Sequence, residues 1–331
     1  MSDWICRQFR CVTSAATLDS EKLVDMASVV TGAFGYIGRY IARHLLDMGE
    51  QVKTITTHPD KRNPFGNAVA AFLYNFDRPD ELTASLRGAS TLYNTYWIRF
   101  EYGGMTFRQA VQNTITLFAC AKNAGIRKIV HISVTQASSG SGLPYYAGKS
   151  LQEAALINSG VPYNIVRPTL VFGKEDILVN NIAWLIRKFP VFPIFGSGLY
   201  KVQPVYVEDL ANIAVARAAD PVSGVVDAIG PEVFTFKELV QLISSRIKPG
   251  VNLVHVPPAI GIALGQLVGL AVGDIILTRD ELQGLMEGLL ISDQAPNGTT
   301  RFSSWLESNK NDLGTAYSSE LGRHFKWTPA A

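Results

Sequence analysis

The sequence predicts an α/β fold in which a doubly wound parallel sheet is followed by a smaller C-terminal domain, and three observations carry the prediction. Short β-branched runs alternate with helical patterns through the first half of the 331 residues. Gly32, Gly35 and Gly38 stand between the first such run and the first helical pattern. Gly49, Gly88, Gly125 and Gly160 each follow a helical pattern, where a left-handed residue ends a helix at little steric cost.

Taken in order, the strands are expected at Ser28–Thr31, Val52–Thr56, Ala71–Tyr74, Thr91–Tyr93, Ile129–Ser133 and Tyr163–Arg167. The helices between them are expected near Gly38–Met48, Asp80–Arg87, Thr106–Ala124 and Tyr145–Ser159. Ile37, Ile41, Leu45 and Met48 give the first helix one apolar face. After Pro168 the alternation decays into Pro- and Gly-punctuated sequence. Two later helices are announced by capping boxes, Thr235 with Glu238 and Thr278 with Glu281. This divides the chain into a tail (1–26), a nucleotide-binding domain (27–173) and a substrate or partner domain (174–331), some segments of which return to the first.

Composition narrows the function. A net charge of +2 without a run of five like charges argues against nucleic acid as partner. Cys6, Cys11 and Cys120 have no CxxC spacing, so neither a disulfide framework nor a zinc site is expected, and a cytoplasmic setting fits. The five histidines are scattered without ligand spacing, so no metal is expected. Hydrophobic residues make up 47% and charged ones 18%, with a mean hydropathy of +0.13, which suggests extensive buried surface or a subunit or membrane-surface contact. The most lipid-like segment, Ile260–Leu277, is broken by glycines and Asp274 and is too short to span a bilayer, leaving peripheral contact open.

The glycines have a specific use. A dinucleotide pyrophosphate must approach backbone amides at a helix N-terminus, where the peptide dipoles favour negative charge and only residues without a side chain permit contact. The loop Gly32, Phe34, Gly35, Tyr36, Ile37 and Gly38 is therefore expected to bind the cofactor, in the Rossmann arrangement of strand, glycine turn and helix. The second strand ends in Thr56, Thr57 and His58, with no carboxylate before Asp60 to take the ribose 2′-hydroxyl of NAD. Arg39, Lys61 and Arg62 are close enough in sequence to meet a 2′-phosphate, which favours NADP while leaving NAD possible.

The motifs "TGAFGYIG", "FDRP", "YYAGKS", "VRPTLVFG" and "VYVEDLA", in that order, resemble the extended and atypical short-chain dehydrogenase/reductase superfamily over roughly residues 27 to 290. The likeness is strongest to the branch of the nucleotide-binding accessory subunit of respiratory complex I, which neighbours sugar-nucleotide epimerases and NmrA-like regulators. The resemblance implies that Asp77 contacts the adenine edge, that Asn113 supports the active site, that Pro168 and Thr169 line the nicotinamide, and that Asp209 organises the second domain.

Tyr145 and Lys149 lie four residues apart on a predicted helix and share one face. An ammonium there is expected to hold the phenol below its usual ~10 and make proton transfer feasible near neutral pH. This is the YxxxK pair of the superfamily, in which the lysine also meets the nicotinamide ribose. The family's second catalytic hydroxyl is replaced by Val134 in "SVT", so Ser133 or Thr135 is expected to polarise the substrate oxygen. Tyr96 and Trp97 stand where small residues usually flank the cofactor, available for stacking or for packing against a neighbouring helix. The expected activity is NADP-dependent hydride transfer between nicotinamide and a carbonyl or carbinol carbon of a small molecule, as an oxidoreductase or epimerase. The alternative is a nucleotide-holding assembly or regulatory subunit.

Overall fold

The computed structural model describes residues 27–60 and 62–325. The tail 1–26 and Lys61 lie outside the described residues.

The first half builds β1 (Ala27–Thr31), α1 (Tyr36–Asp47), β2 (Val52–Thr56), β3 (Val69–Leu73), α2 (Pro79–Leu86), β4 (Ala89–Asn94), α3 (Phe107–Asn123), β5 (Lys128–Ile132), α4 (Pro144–Ile157) and β6 (Tyr163–Pro168). Every predicted strand and helix is present. The third strand starts and ends earlier than expected, because the chain turns away after it: Asn75 takes a left-handed φ of 41°.

The second half contributes β7 (Leu170–Phe172), α5 (Leu178–Lys188), β8 (Val191–Phe195), β9 (Lys201–Val202), β10 (Pro204–Tyr206), α6 (Val207–Ala218), β11 (Gly224–Ala228), β12 (Phe234–Thr235), α7 (Phe236–Ile247), β13 (Asn252–Val256), α8 (Pro258–Val272), α9 (Arg279–Met286), α10 (Phe302–Asn309) and α11 (Glu320–His324). Both predicted capping boxes form, at the starts of α7 and α9.

The central sheet has seven parallel strands in the order β11-β6-β5-β4-β1-β2-β3. Buried on both faces, β1 is apolar or small along its length, as a strand sandwiched between helix layers must be, while the equally buried β5 carries Lys128 and His131 beside Ile129, Val130 and Ile132. One core packs α1 and α6 on one face through Ile41, Leu45, Leu210 and Ala214. Another packs α2 and α3 on the opposite face through Leu82, Leu86, Leu117 and Phe118. A further core, with Phe172, Ile186, Leu239, Phe302 and Trp305, belongs to the second half of the chain. Strand order reverses beside β1, where β2 and β3 lie to one side and β4 to the other. In an open parallel sheet such a switch point leaves a crevice beyond the strands' carboxyl ends. Among the described residues no helix is long and apolar enough to cross a membrane.

Candidate functional site

The glycine turn closes the crevice from below. Gly32 has a φ of 65°, which a residue with a side chain adopts only under strain, and its carbonyl accepts from the Gly35 amide at 2.8 Å. A Cβ on Gly38 would stand 2.4 Å from that carbonyl oxygen, so only glycine lets α1 lie this close to β1. Thr95, just past β4, fastens the turn: its amide donates to Thr31 Oγ1 at 2.7 Å and its hydroxyl to the Thr31 carbonyl at 2.6 Å. No side chain caps the start of α1, so its first amides remain available to an anion. The cradle therefore fits a dinucleotide pyrophosphate.

A cavity of about 640 Å³ opens over this turn. It runs from Tyr36 and Ile37 past Pro168, Thr169, Tyr145 and Lys149 into a chamber walled by Leu178, Leu277 and Leu285. A second cavity of about 430 Å³ lies at the carboxyl ends of β2 and β3, lined by Thr57, Asn75, Asp77 and Gln109. Of the predicted residues, Tyr36, Ile37, Ser133, Tyr145, Lys149, Pro168 and Thr169 line the first cavity, and Thr57 and Asp77 line the second. Arg62 and His58 follow β2 without lining either cavity, and Arg62 is exposed.

Arg39 corrects an expectation. Its guanidinium is held by Glu175 at 3.3 Å, with a 3.4 Å bond to the Phe34 carbonyl, and Glu175 also accepts from the Tyr40 hydroxyl at 2.6 Å. Helix α1 thus aims this side chain at Glu175, in the segment after β7. That leaves Arg62 as the first lysine or arginine after the end of β2 among the described residues.

Tyr145 and Lys149 lie on α4 as their spacing predicted, and both line the cavity. Their coupling differs from the expectation. Lys149 Nζ donates to the Ile132 carbonyl at 2.8 Å and lies 5.0 Å from the Trp97 ring centroid. Burial lowers its pKa to about 7, which Glu153 offsets in part. The Tyr145 phenol is pushed above its ordinary value by burial first and by Tyr146 next; Arg99, not Lys149, is the cation that opposes the rise. The amino group of Lys149 is thus drawn toward the Ile132 carbonyl and the Trp97 ring. Tyr145 packs edge-on against Trp97 and Phe107, at centroid distances of 5.8 and 6.2 Å.

Neither candidate for the substrate-polarising hydroxyl has a proton to spare. Ser133 Oγ donates to Glu153 Oε1 at 2.5 Å, and Arg167 clamps both oxygens of that carboxylate. Thr135 Oγ1 donates to the Ile291 carbonyl at 3.1 Å. Val134 presents an apolar side chain to the cavity, where it joins Leu143 and Tyr146. Glu153 sits in "SLQEA", one helical turn past Lys149, and nothing in that stretch distinguishes it from a surface carboxylate.

The remaining motif residues take structural tasks. Asn113 Nδ2 donates to Tyr96 Oη at 2.8 Å, and Tyr96 packs with Tyr74 and Phe76 near the second cavity. Trp97 turns the other way: a Cβ on Gly148 would lie 2.6 Å from its ring, so α4 admits the indole only because residue 148 is glycine. Asp209 accepts the amides of Thr299 and Thr300, at 2.9 and 2.7 Å, fastening the loop before α10 to α6.

Charged groups from distant parts of the chain border the chamber, and sequence reading missed them. Arg99 pairs with Glu281 and lies 3.8 Å from Glu320, while its Nη2 donates to the Ile276 carbonyl at 3.1 Å. Asp176 caps α5 through the Leu178 and Val179 amides, and burial raises its pKa to about 6 against those hydrogen bonds. The Tyr36 hydroxyl is buried without a hydrogen-bond partner, and burial raises its phenol too. These groups converge only in three dimensions.

The depressed Lys149 pKa has a measurable consequence. Between about 7 and the lysine's ordinary value of 10.5, the unfolded chain holds a proton that the folded chain lacks. Stability of the nucleotide-free protein should therefore rise as pH increases through that window, relative to Lys149→Met. Urea titrations at several pH values, on both proteins, check this; parallel stability curves would refute the buried neutral lysine.

Comparison with known proteins fits this geometry. Residues 32–178 match the family described as NAD(P)H-binding. Over 289 residues the chain is 27% identical to the mitochondrial NADH dehydrogenase [ubiquinone] 1 alpha subcomplex subunit 9 of Arabidopsis thaliana, covering 82% of this chain and 72% of that protein. The NADPH-dependent quinone oxidoreductase from Escherichia coli, solved with NADPH, superposes with a TM-score of 0.67 at 21% identity, over 86% of this chain and all of that one (100%). A nucleoside-diphosphate-sugar epimerase from Staphylococcus aureus gives 0.66 at 17% identity, over 89% and 99%. The chain has the doubly wound α/β fold of these epimerases and reductases and carries an NAD(P)-binding domain.

Proposed function

We propose that this member of the extended short-chain dehydrogenase/reductase superfamily is an NADP(H)-dependent oxidoreductase acting on an apolar carbonyl or carbinol compound. One observation carries the reading: the cavity does not end at the nicotinamide-side residues Pro168 and Thr169 but continues past Tyr145 into a chamber with Leu178, Leu277, Leu285 and Leu290 in its walls and Arg99, Asp176, Glu281 and Glu320 at its border. The cofactor would supply the hydride. The phenol of Tyr145, protonated at neutral pH, donates a proton to the substrate oxygen during reduction. Lys149 holds the floor of the site through the Ile132 carbonyl, and the α1 amides with Gly35 and Gly38 receive the pyrophosphate. A sugar nucleotide is less well served, since the chamber's Arg99 is already taken by carboxylates.

The test is single-turnover oxidation of bound NADPH with a panel of hydrophobic ketones, aldehydes and quinones. Reduction of at least one class is expected. Tight NADPH binding with no oxidation by any of them would favour the second reading, a nucleotide-holding assembly or regulatory subunit. That reading draws on the committed hydroxyls of Ser133 and Thr135 and on the likeness to a complex I subunit. A missing oxyanion donor costs on the order of a hundredfold in rate, which slows an enzyme without abolishing it.

The coenzyme preference follows from the end of β2. NADPH should bind several-fold more tightly than NADH, and Arg62→Glu should narrow the gap. Fluorescence titration measures both; equal affinities in the parent protein would remove the 2′-phosphate from the assignment.

A further inference from the structure

Helix α8 is built inside out. Its glycines face the protein: Gly261 lies against Phe195, where a Cβ would come within 2.2 Å of the ring, and Gly269 lies against Asp274, where a Cβ would come within 2.5 Å of the carbonyl oxygen. Only these two glycines of the helix are buried. The large side chains point outward, with Ile260, Leu264, Leu267 and Leu270 exposed, the last two at 64% and 82%. A surface helix in water has the opposite arrangement.

The apolar surface extends beyond the helix. Strand β8 pairs in parallel with β13, and Val191 and Val254 are exposed there, beside the exposed Phe189. No Asp or Glu occurs between Lys248 and Gly273, and Gln266 is the one polar side chain of α8. Lys188 precedes Phe189, and Lys248 Nζ reaches the Phe189 carbonyl at 3.3 Å, so cations border the patch at this edge.

We propose that this face seats the protein on a lipid bilayer, with α8 lying in the interface. Fifteen residues of helix reach roughly 22 Å, short of the ~30 Å hydrocarbon thickness, so α8 lies along the membrane and does not cross it. The chemistry of the face selects lipid over a protein partner. Protein interfaces concentrate their energy in Trp, Tyr and Arg, none of which occurs in α8, while a bilayer asks only for apolar area with cations at its edge. The two lysines add attraction for anionic headgroups. The inner side of α8 faces Leu277 at Gly265, where an added Cβ would stand 3.9 Å from the Leu277 Cβ, and Leu277 lines the large cavity, so the membrane would lie one side-chain layer from the chamber.

The experiment is vesicle co-sedimentation of the full chain, which uses neither nucleotide nor turnover and so stands apart from the proposed activity. The protein should pellet with phosphatidylcholine vesicles containing phosphatidylglycerol, and more weakly with phosphatidylcholine alone. Leu267→Asp with Leu270→Asp should reduce binding at least ~10-fold, since each leucine removed from an apolar phase is worth about that factor. Both positions are exposed, and an unchanged thermal transition will show that the variant folds. Protein that stays in the supernatant with both vesicle types overturns the proposal, as does undiminished binding by the double variant. A soluble dimer that the same substitutions dissociate, without vesicle binding, assigns the face to a second copy and overturns it equally.

Discussion

Tyr145→Phe is expected to lower single-turnover hydride transfer by at least the ~10²-fold that a positioned general acid supplies, with NADPH affinity nearly unchanged. The substitution removes one hydroxyl that makes no hydrogen bond to another described residue and leaves the ring contacts with Trp97 and Phe107 in place. Structural disturbance should therefore be slight. Lys149→Met should lower affinity as well as rate, because it removes the bond to the Ile132 carbonyl and the amino group that lies over the Trp97 ring. A nucleotide-holding protein would give a different pattern. Tyr145→Phe would then be silent in rate and affinity, and only Lys149→Met would loosen the nucleotide. Stopped-flow measurement of NADPH oxidation beside fluorescence titration, on both variants, separates the two.

Gly38→Ala should abolish measurable nucleotide binding and destabilise the fold as well. Its Cβ would stand 2.4 Å from the Gly32 carbonyl oxygen and 3.0 Å from that of Thr31, both backbone atoms with no rotamer to escape into. Helix α1 would have to lift from β1, and overpacking of this kind costs about 1–3 kcal/mol. Gly35→Val separates the two effects. The φ of residue 35 is −87°, open to any residue, and a Cβ there meets the Gly32 oxygen at 3.1 Å, a contact that small shifts relieve. The valine methyls would instead occupy the approach of the pyrophosphate. Binding should be lost while circular dichroism and the thermal transition stay near the parent values. Retained affinity in Gly35→Val would mean that the turn is structural only.

The sequence by itself determined the parallel sheet of the first half, the place of its four helices, both capping boxes and the glycine turn between β1 and α1. These are local matters: a strand, a glycine turn and a helix start depend on residues within a few positions of one another, and the spacing of Tyr145 and Lys149 sets a shared helical face. The return of β11 to the edge of the sheet beside β6 was legible only in outline, because five residues in a broken pattern carry little periodicity. Tertiary structure decided the state of the site. Whether Ser133 is free depends on Glu153 of α4, whose carboxylate accepts its hydrogen bond and is held in turn by the Arg167 guanidinium from β6. Whether Arg39 reaches a phosphate depends on Glu175, 136 residues away in the chain. Whether Lys149 acidifies Tyr145 depends on burial under Trp97, contributed from the loop after β4. Charge, protonation and hydrogen-bond commitment are set by what packs around a group, and in this fold those neighbours arrive from remote segments, so no local pattern could announce them.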